Sequence, residues 1–353
     1  MAEYVRNLWY MAAWQEEVDR VPMLARTLLD EPWLIYRTQD GQYAMILDRC
    51  PHRFAPLSRG KRSGDSIACG YHGLTFDQRG HCVHNPFSKV VAKNAAVPIR
   101  RVVARYGILW FWGGAPEMAE TATIPDFAFL NDPAPMTRKK TWMKANYELL
   151  TDNLMDLSHI EFIHADSFKS GGAMFNGTHR GFEGKSGEIW SCWSMTNVPA
   201  PRFATSLSGQ LVDRWTNMRW NAPACMYLEV GATPTGRPRD QSPVAPLRNP
   251  HIVTPETSTS SHYFYNCMPG EESEAFAERV FDQEDRPMLE AIQERMHDLD
   301  FWELHPVMLK SDSAAIRARQ ELLKLRRLES GSPSSDVEPA SHSGEESAVN
   351  NHE

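Results

Sequence analysis

Apolar residues in the first third of the chain fall in short runs. WLIYR (33–37), YAMILD (43–48), GLTFD (73–77) and GILWFW (107–112) are rich in β-branched and aromatic side chains, with Gly, Pro, Asp or Ser between them. That pattern predicts strands joined by turns over residues 1–115. GAPEMAETATIPDF (114–127) loses the pattern and predicts a loop at a domain boundary. The period then changes. In YELLTDNLMDLSHIEFIHAD (147–166), Leu150, Leu154, Leu157 and Phe162 mark one predicted helix. Strand-like pieces resume in EIWSCWSM (188–195), MYLEVGAT (226–233) and SHYFYNCM (261–268). Two helical segments follow, one around 272–300 and one at 311–329, with Ser311 or Ser313 as the predicted N-cap of the second. No internal repeat is visible. The expected architecture is α+β: an all-β domain over 1–115, then a domain of strands and helices over 116–329.

Composition adds limits. The 353 residues are 42% hydrophobic and 23% charged, the balance of a soluble globular protein large enough for two domains. A net charge of −8 argues against nucleic acid as the main partner. No apolar run is long enough to cross a membrane, and polar residues interrupt MAEYVRNLWYMAAWQEEVDR too often for a signal peptide. Six scattered cysteines fit a reducing, cytoplasmic compartment better than a disulfide scaffold. Residues 330–353 hold five acids and neither Lys nor Arg, which predicts a disordered acidic tail. His342 and His352 lie in that tail and are set aside as ligands.

The chemistry concentrates in two places. The first is CPHRFAPLSRGKRSGDSIACGYH (50–72), which pairs Cys50 with His52 and Cys69 with His72. Thiolates and imidazoles are metal ligands, and short paired spacings let one loop offer two donors to one centre. C-x-H followed by C-x-x-H is the Rieske pattern, in which one iron of a [2Fe–2S] cluster takes two Cys and the other takes two His. Neutral imidazoles in place of two thiolates remove negative charge, so the cluster accepts an electron more readily. Cys82 reads as a buried thiol, and His81 and His84 as loop residues. Arg49, Arg53, Arg59, Lys61 and Arg62 surround the pattern and would steer an acidic redox partner.

The second place is the predicted helix 147–166. Asp156 and His159 are three residues apart and share a helical face. His159 and His164 are five apart, about 140° around an ideal helix, so they meet at one metal only if the helix is distorted or ends there. A carboxylate would complete a 2-His-1-carboxylate iron site. Asp285 is the candidate, because Leu289, Ile292 and Met296 follow it on one helical face. The alternative for Asp285 is an N-cap with Pro287 just inside the helix.

CPHRFAPLS, CGYHGL, the N-x-x-D-x-x-H-x-x-x-x-H run from Asn153 to His164, RWN (219–221), HIVTPET (251–257) and EDRPMLEAI (284–292) carry a resemblance. Over about 1–328 the chain resembles the oxygenase component of Rieske non-haem iron oxygenases, in the vanillate O-demethylase and dicamba monooxygenase branch. The resemblance implies an N-terminal Rieske domain packed on a helix-grip catalytic domain. It implies mononuclear Fe(II) on His159, His164 and Asp285, with Asn153 close behind them. It implies head-to-tail homotrimers, with Asp156 bridging a cluster histidine (His72) to an iron histidine (His159) across the interface. O2 is the implied co-substrate. Electrons would come from NAD(P)H through a separate reductase carrying flavin and a plant-type cluster, since the chain has no dinucleotide fingerprint of its own. His251 matches a position that orients a substrate carboxylate. LEVGATP (228–234) lacks the pocket asparagine of dicamba-type members, so a methoxybenzoate such as vanillate is the expected substrate. Trp190, Trp193, Trp215 and Trp220 are expected mostly in core packing.

Overall fold

The run GILWFW is apolar throughout because both of its faces are covered. In the computed structural model, which describes residues 4–91, 94–131, 136–297 and 299–331, it forms the last strand of the N-terminal half. The strands there are β1 (Trp9–Trp14), β2 (Leu24–Leu28), β3 (Glu31–Arg37), β4 (Tyr43–Leu47), β5 (Lys61–Ser63), β6 (Ser66–Ala68), β7 (Thr75–Phe76), β8 (Cys82–His84), β9 (Val102–Arg105) and β10 (Ile108–Trp112), with a short α1 (Gln15–Asp19) after β1. They form three antiparallel sheets, ordered β1-β10-β9, β2-β3-β4 and β5-β6-β7-β8. The strand predicted over 73–77 shrinks to β7, because Gly73 has φ +74° and belongs to a turn.

The C-terminal half carries one antiparallel sheet of seven strands: β11 (Thr137–Met143), β12 (Thr178–Glu183), β13 (Ile189–Pro199), β14 (Leu211–Asn221), β15 (Cys225–Pro234), β16 (Leu247–Thr257) and β17 (Ser260–Cys267). Their order is β11-β17-β16-β15-β14-β13-β12. Side chains alternate across a strand, so each strand feeds two faces. In β13 the buried set Ile189, Ser191, Trp193 and Met195 faces one way. That inward face carries the main core with the helices α2 (Tyr147–Met155), α3 (Ala165–Phe168), α4 (Glu271–Glu278), α5 (Arg286–Met296) and α6 (Ser313–Ser330) nearby. The outward face is covered by the N-terminal half: Cys225, Ile252 and Phe264 pack with Trp9, Ile108, Trp110 and Trp112. β17, covered on both faces, is therefore buried at all eight positions. This is the expected helix-grip arrangement beside a β domain.

The halves are joined by more than apolar packing. Thr254 Oγ1 donates to the Met11 carbonyl at 2.7 Å, and Trp14 Nε1 to the Lys139 carbonyl at 2.9 Å. On the other side, α6 is tied to α2 by Arg319. Its guanidinium donates to both Asp152 oxygens, at 2.9 and 2.6 Å, and to Glu148 Oε2 at 3.0 Å. The predicted N-cap of this helix is corrected: Asp312 holds the N-cap position, without a side-chain cap bond. Trp193, Trp215 and Trp220 are buried core residues. No helix among the described residues is long and apolar enough to cross a membrane. The acidic tail, with His342 and His352, lies outside the described residues from 332 onward.

Candidate metal centres

Two loops of the same shape hold the four Cys and His donors. Cys50 N donates to the Ala55 carbonyl and Phe54 N returns to the Cys50 carbonyl, both at 2.9 Å. Cys69 repeats the pattern one loop later: its N–H donates to Leu74 O at 2.8 Å, and Gly73 N returns at 2.9 Å. Both fourth positions have positive φ, +60° at Phe54 and +74° at Gly73. Glycine is required at the second, since a Cβ there would stand 2.7 Å from Pro86 Cγ. Both thiols are buried and unpaired in any disulfide, while the His52 and His72 rings lie outward of them, 4.6 Å apart at their centroids. Two inner sulfurs and two outer nitrogens are the donor set of a Rieske cluster. Around it Phe54, Tyr71 and Phe87 are exposed. Of the predicted basic patch, Arg49, Arg53, Arg59 and Lys61 are exposed. Arg62 is not part of it: its guanidinium stacks on Tyr36 and donates to the carbonyls of Pro22, Arg37 and Gly64.

The second site depends on a broken helix. The helix predicted over 147–166 stops at Met155, because Asp156 is extended at φ −111°, ψ 91°. The chain continues as a 3-10 turn (Leu157–Glu161) and then α3. This break brings His159 and His164 together, with ring centroids 5.2 Å apart. Asp285 arrives from the far end of the chain through a π-helical stretch, Arg279–Asp285. The extra residue per turn appears here, and not between the histidines. His159, His164 and Asp285 offer three ligand atoms within 4.8 Å of one another.

Each histidine is held by its other nitrogen. His159 Nδ1 donates to the Asp156 main-chain carbonyl at 2.7 Å, and His164 Nδ1 to Glu284 Oε2 at 2.8 Å. Both Nε2 atoms then face Asp285 Oδ1, at 3.8 and 3.2 Å. Asn153 Nδ2 donates to the same Asp285 oxygen at 3.2 Å. Burial lowers the His159 pKa despite Asp285; at His164, Asp285 and Glu284 outweigh burial and raise it. Two Nε2 lone pairs and a buried carboxylate facing one point fit a divalent metal. Asp285 does hold the N-cap position of α5, with Pro287 just inside the helix, but its carboxylate makes no cap bond; only 3% exposed, it faces the two histidines instead. Its predicted apolar companions divide, since Leu289 is buried but Ile292 is 38% exposed.

Glu284 went unrecognised in the sequence reading. It receives bonds from Ser167 Oγ at 2.5 Å and Arg279 Nε at 2.9 Å, and so is fixed against His164. The signal was its place beside Asp285, which a spacing rule for ligands does not weigh. Within the chain, the Asp156 carbonyl holds His159, and its carboxylate caps Ser158 N at 3.0 Å. His251 is buried on the inward face of β16. Its Nδ1 lies 2.5 Å from the Tyr263 hydroxyl, and its Nε2 has no partner among the described residues. Burial pushes its pKa down to about 4, against the pull of Asp285, so it is neutral at pH 7.

A cluster domain joined to a helix-grip domain with a His-His-Asp site defines an oxygenase that carries its own electron relay. Comparison with known proteins agrees. Residues 8–95 match the Rieske [2Fe-2S] domain family, and 143–328 match the vanillate O-demethylase oxygenase C-terminal domain family. The chain is 38% identical over 341 residues to the oxygenase component of dicamba O-demethylase from Stenotrophomonas maltophilia, covering 92% of this chain and 99% of that one. It is 34% identical to the oxygenase component of chloroacetanilide N-alkylformylase from Rhizorhabdus wittichii, over 90% and 94% of the two chains. The crystal structure of dicamba monooxygenase bound to dicamba matches with a TM-score of 0.83 and 36% identity, over 94% of this chain and all of the other. The chain belongs to the Rieske non-haem iron oxygenases, as an oxygenase component of the monooxygenase type. A Rieske [2Fe–2S] cluster and a mononuclear non-haem iron are its cofactors.

Proposed function

We propose that this oxygenase O-demethylates a methoxylated aromatic acid of the vanillate type, using O2 and releasing a phenol and formaldehyde. The convergence of His159, His164 and Asp285 carries the reading. The ligand assignment is Cys50, His52, Cys69 and His72 for the cluster, and His159, His164 and Asp285 for the mononuclear iron. When bound, the iron supplies oxygen activation and the cluster supplies electrons. The chain's own part is ligation, orientation and exclusion of water. The Asp156 carbonyl and Glu284 fix the two rings, and Asn153 holds the Asp285 carboxylate. His251 offers its free Nε2 to the substrate, as a neutral hydrogen-bonding group. Insertion of one oxygen atom into a methyl C–H gives a hemiacetal, which collapses to phenol and formaldehyde. The other oxygen leaves as water with two electrons and two protons.

Electrons reach the cluster from a separate reductase that carries flavin and a plant-type [2Fe–2S] centre and is fed by NAD(P)H. The exposed Arg49, Arg53, Arg59 and Lys61 suit an acidic partner. The working form is a cytoplasmic head-to-tail homotrimer. Outward-lying His52 and His72, flanked by exposed Phe54 and Tyr71, suit burial against a second copy. The Asp156 carboxylate, which within the chain caps Ser158 N at 3.0 Å, is the acceptor for a cluster imidazole N–H from the neighbour. The second reading is N-demethylation, favoured by the likeness to an N-alkylformylase component, with ring hydroxylation as the other alternative.

Single turnover separates them. The iron-loaded protein is reduced chemically, then given O2 and a panel of methoxybenzoates, and formaldehyde and phenol are assayed. Stoichiometric formaldehyde from one compound supports O-demethylation. Cluster oxidation with no formaldehyde from any of them removes it.

A further inference from the structure

The inward face of the seven-stranded sheet is the wall opposite the iron-ligand turn. Two cations project from its strands, Lys139 and Arg214. Each shares its face with known inward residues: Lys139 pairs with Tyr265 in register, and Arg214 with Met195 and Ala232. Lys139 is neutralised by Glu274 at 2.7 Å. Arg214 has no ion pair or hydrogen bond among the described residues, and its Nε is buried without a partner. Burial lowers its pKa, and the acid acting against that is Glu161, which lies between His159 and His164 in sequence. Glu161 is already committed. Its carboxylate receives Ser170 Oγ at 2.6 Å, Gly172 N at 2.9 Å and Met174 N at 2.8 Å.

A half-buried guanidinium without a counter-ion costs stability unless a ligand supplies the charge. The proposed substrate class brings a carboxylate, and neutral His251 cannot balance it. The same face leaves two other donors open, the indole N–H groups of Trp193 and Trp220. Leu228, in the stretch that lacks the pocket asparagine, is in register with Asn249, whose side-chain oxygen is buried and unpartnered. Polar recognition on this wall is thus displaced from β15 to its neighbours.

We propose that Arg214 is a specificity-determining residue that pairs with the carboxylate of an aromatic acid substrate. This rests on the aromatic-acid reading above. A planar guanidinium offers two parallel N–H donors to a carboxylate, a geometry that an ammonium reproduces only in part.

The test is charge selectivity in binding. Benzoate and benzamide are titrated calorimetrically into the iron-loaded holoprotein, as wild type, Arg214→Gln and Arg214→Lys. Wild type is expected to favour benzoate by about 30-fold or more, the usual scale for a desolvated charge pair. Arg214→Gln is expected to bring the ratio near one, and Arg214→Lys to keep part of it. A merely structural role would weaken both ligands alike and leave the ratio unchanged. No preference in wild type, or a preference that survives in Arg214→Gln, overturns the proposal. An Arg214-dependent preference without formaldehyde from any methoxybenzoate would remove the demethylation reading and leave this one standing.

Discussion

Removing Glu284 tests the metal site through a residue that is not a ligand. His164 is 2% exposed and reaches Asp285 Oδ1 with Nε2 only while Nδ1 is held by Glu284 at 2.8 Å. Glu284→Ala deletes that bond and frees the ring to turn about χ2. It also strips Ser167 and Arg279 of their acceptor. Loss of such an outer partner weakens metal binding by about 10- to 100-fold, or roughly 1.4–2.7 kcal/mol. Ser167→Ala removes one of the bonds that position Glu284, and should cost less than the full substitution. The assay is anaerobic Co(II) titration of protein depleted of mononuclear iron, followed by cobalt absorption, with the cluster signal as a folding control. Affinity unchanged in Glu284→Ala would refute the claim that this carboxylate orients the ligand.

Three further outcomes are expected. Asp156→Asn should keep both metal centres yet lose steady-state turnover, and full turnover with intact metals would remove the bridging role. Arg319→Met should destabilise the fold by about 3–5 kcal/mol, because it leaves Glu148 and Asp152 without their shared partner; a denaturation midpoint within error of wild type would contradict this. His262 is buried and neutral, its pKa lowered to about 4 by burial and then by Arg26. Above its unfolded pKa of about 6.5 that costs nothing. As pH falls toward 4 the unfolded state binds the extra proton and about 3 kcal/mol of stability is lost. Denaturant titrations at pH 7 and pH 4.5 should show His262→Gln losing less than wild type.

Much of this was visible in the chain. Short apolar runs between turn residues gave the strands, because alternation and burial leave a local imprint. The two Cys/His pairs were visible because their loops are local and identical in bonding. His159 and His164 were visible as types, and their meeting only on condition that the helix breaks between them and Met155. It depends on Asp156 leaving helical φ/ψ, which the apolar period through Leu157 and Phe162 conceals. Glu284 was hidden because its value lies in contacts to Ser167 and His164, more than a hundred positions away. Arg214 was hidden for a related reason. Nothing in LVDRWTN tells which face of a strand turns toward an iron site, or that the acid nearest Arg214, Glu161, is already taken.

The sheet β1-β10-β9 has a consequence for cutting and recombining these proteins. β1 lies inside the region that matches the Rieske family, 8–95, but its partner β10 begins at Ile108. A fragment ended at residue 95 would therefore leave β1 with an open edge and expose Trp9 and Trp14, which the full chain buries. The cluster module that sequence similarity outlines is smaller than the unit that can fold. A chimera that exchanges cluster domains between relatives should carry its junction past Trp112, and should bring matching outward residues of β16 and β17 with it. Sequence boundaries here follow the chemistry of the ligands, whereas the material boundary is drawn by tryptophan.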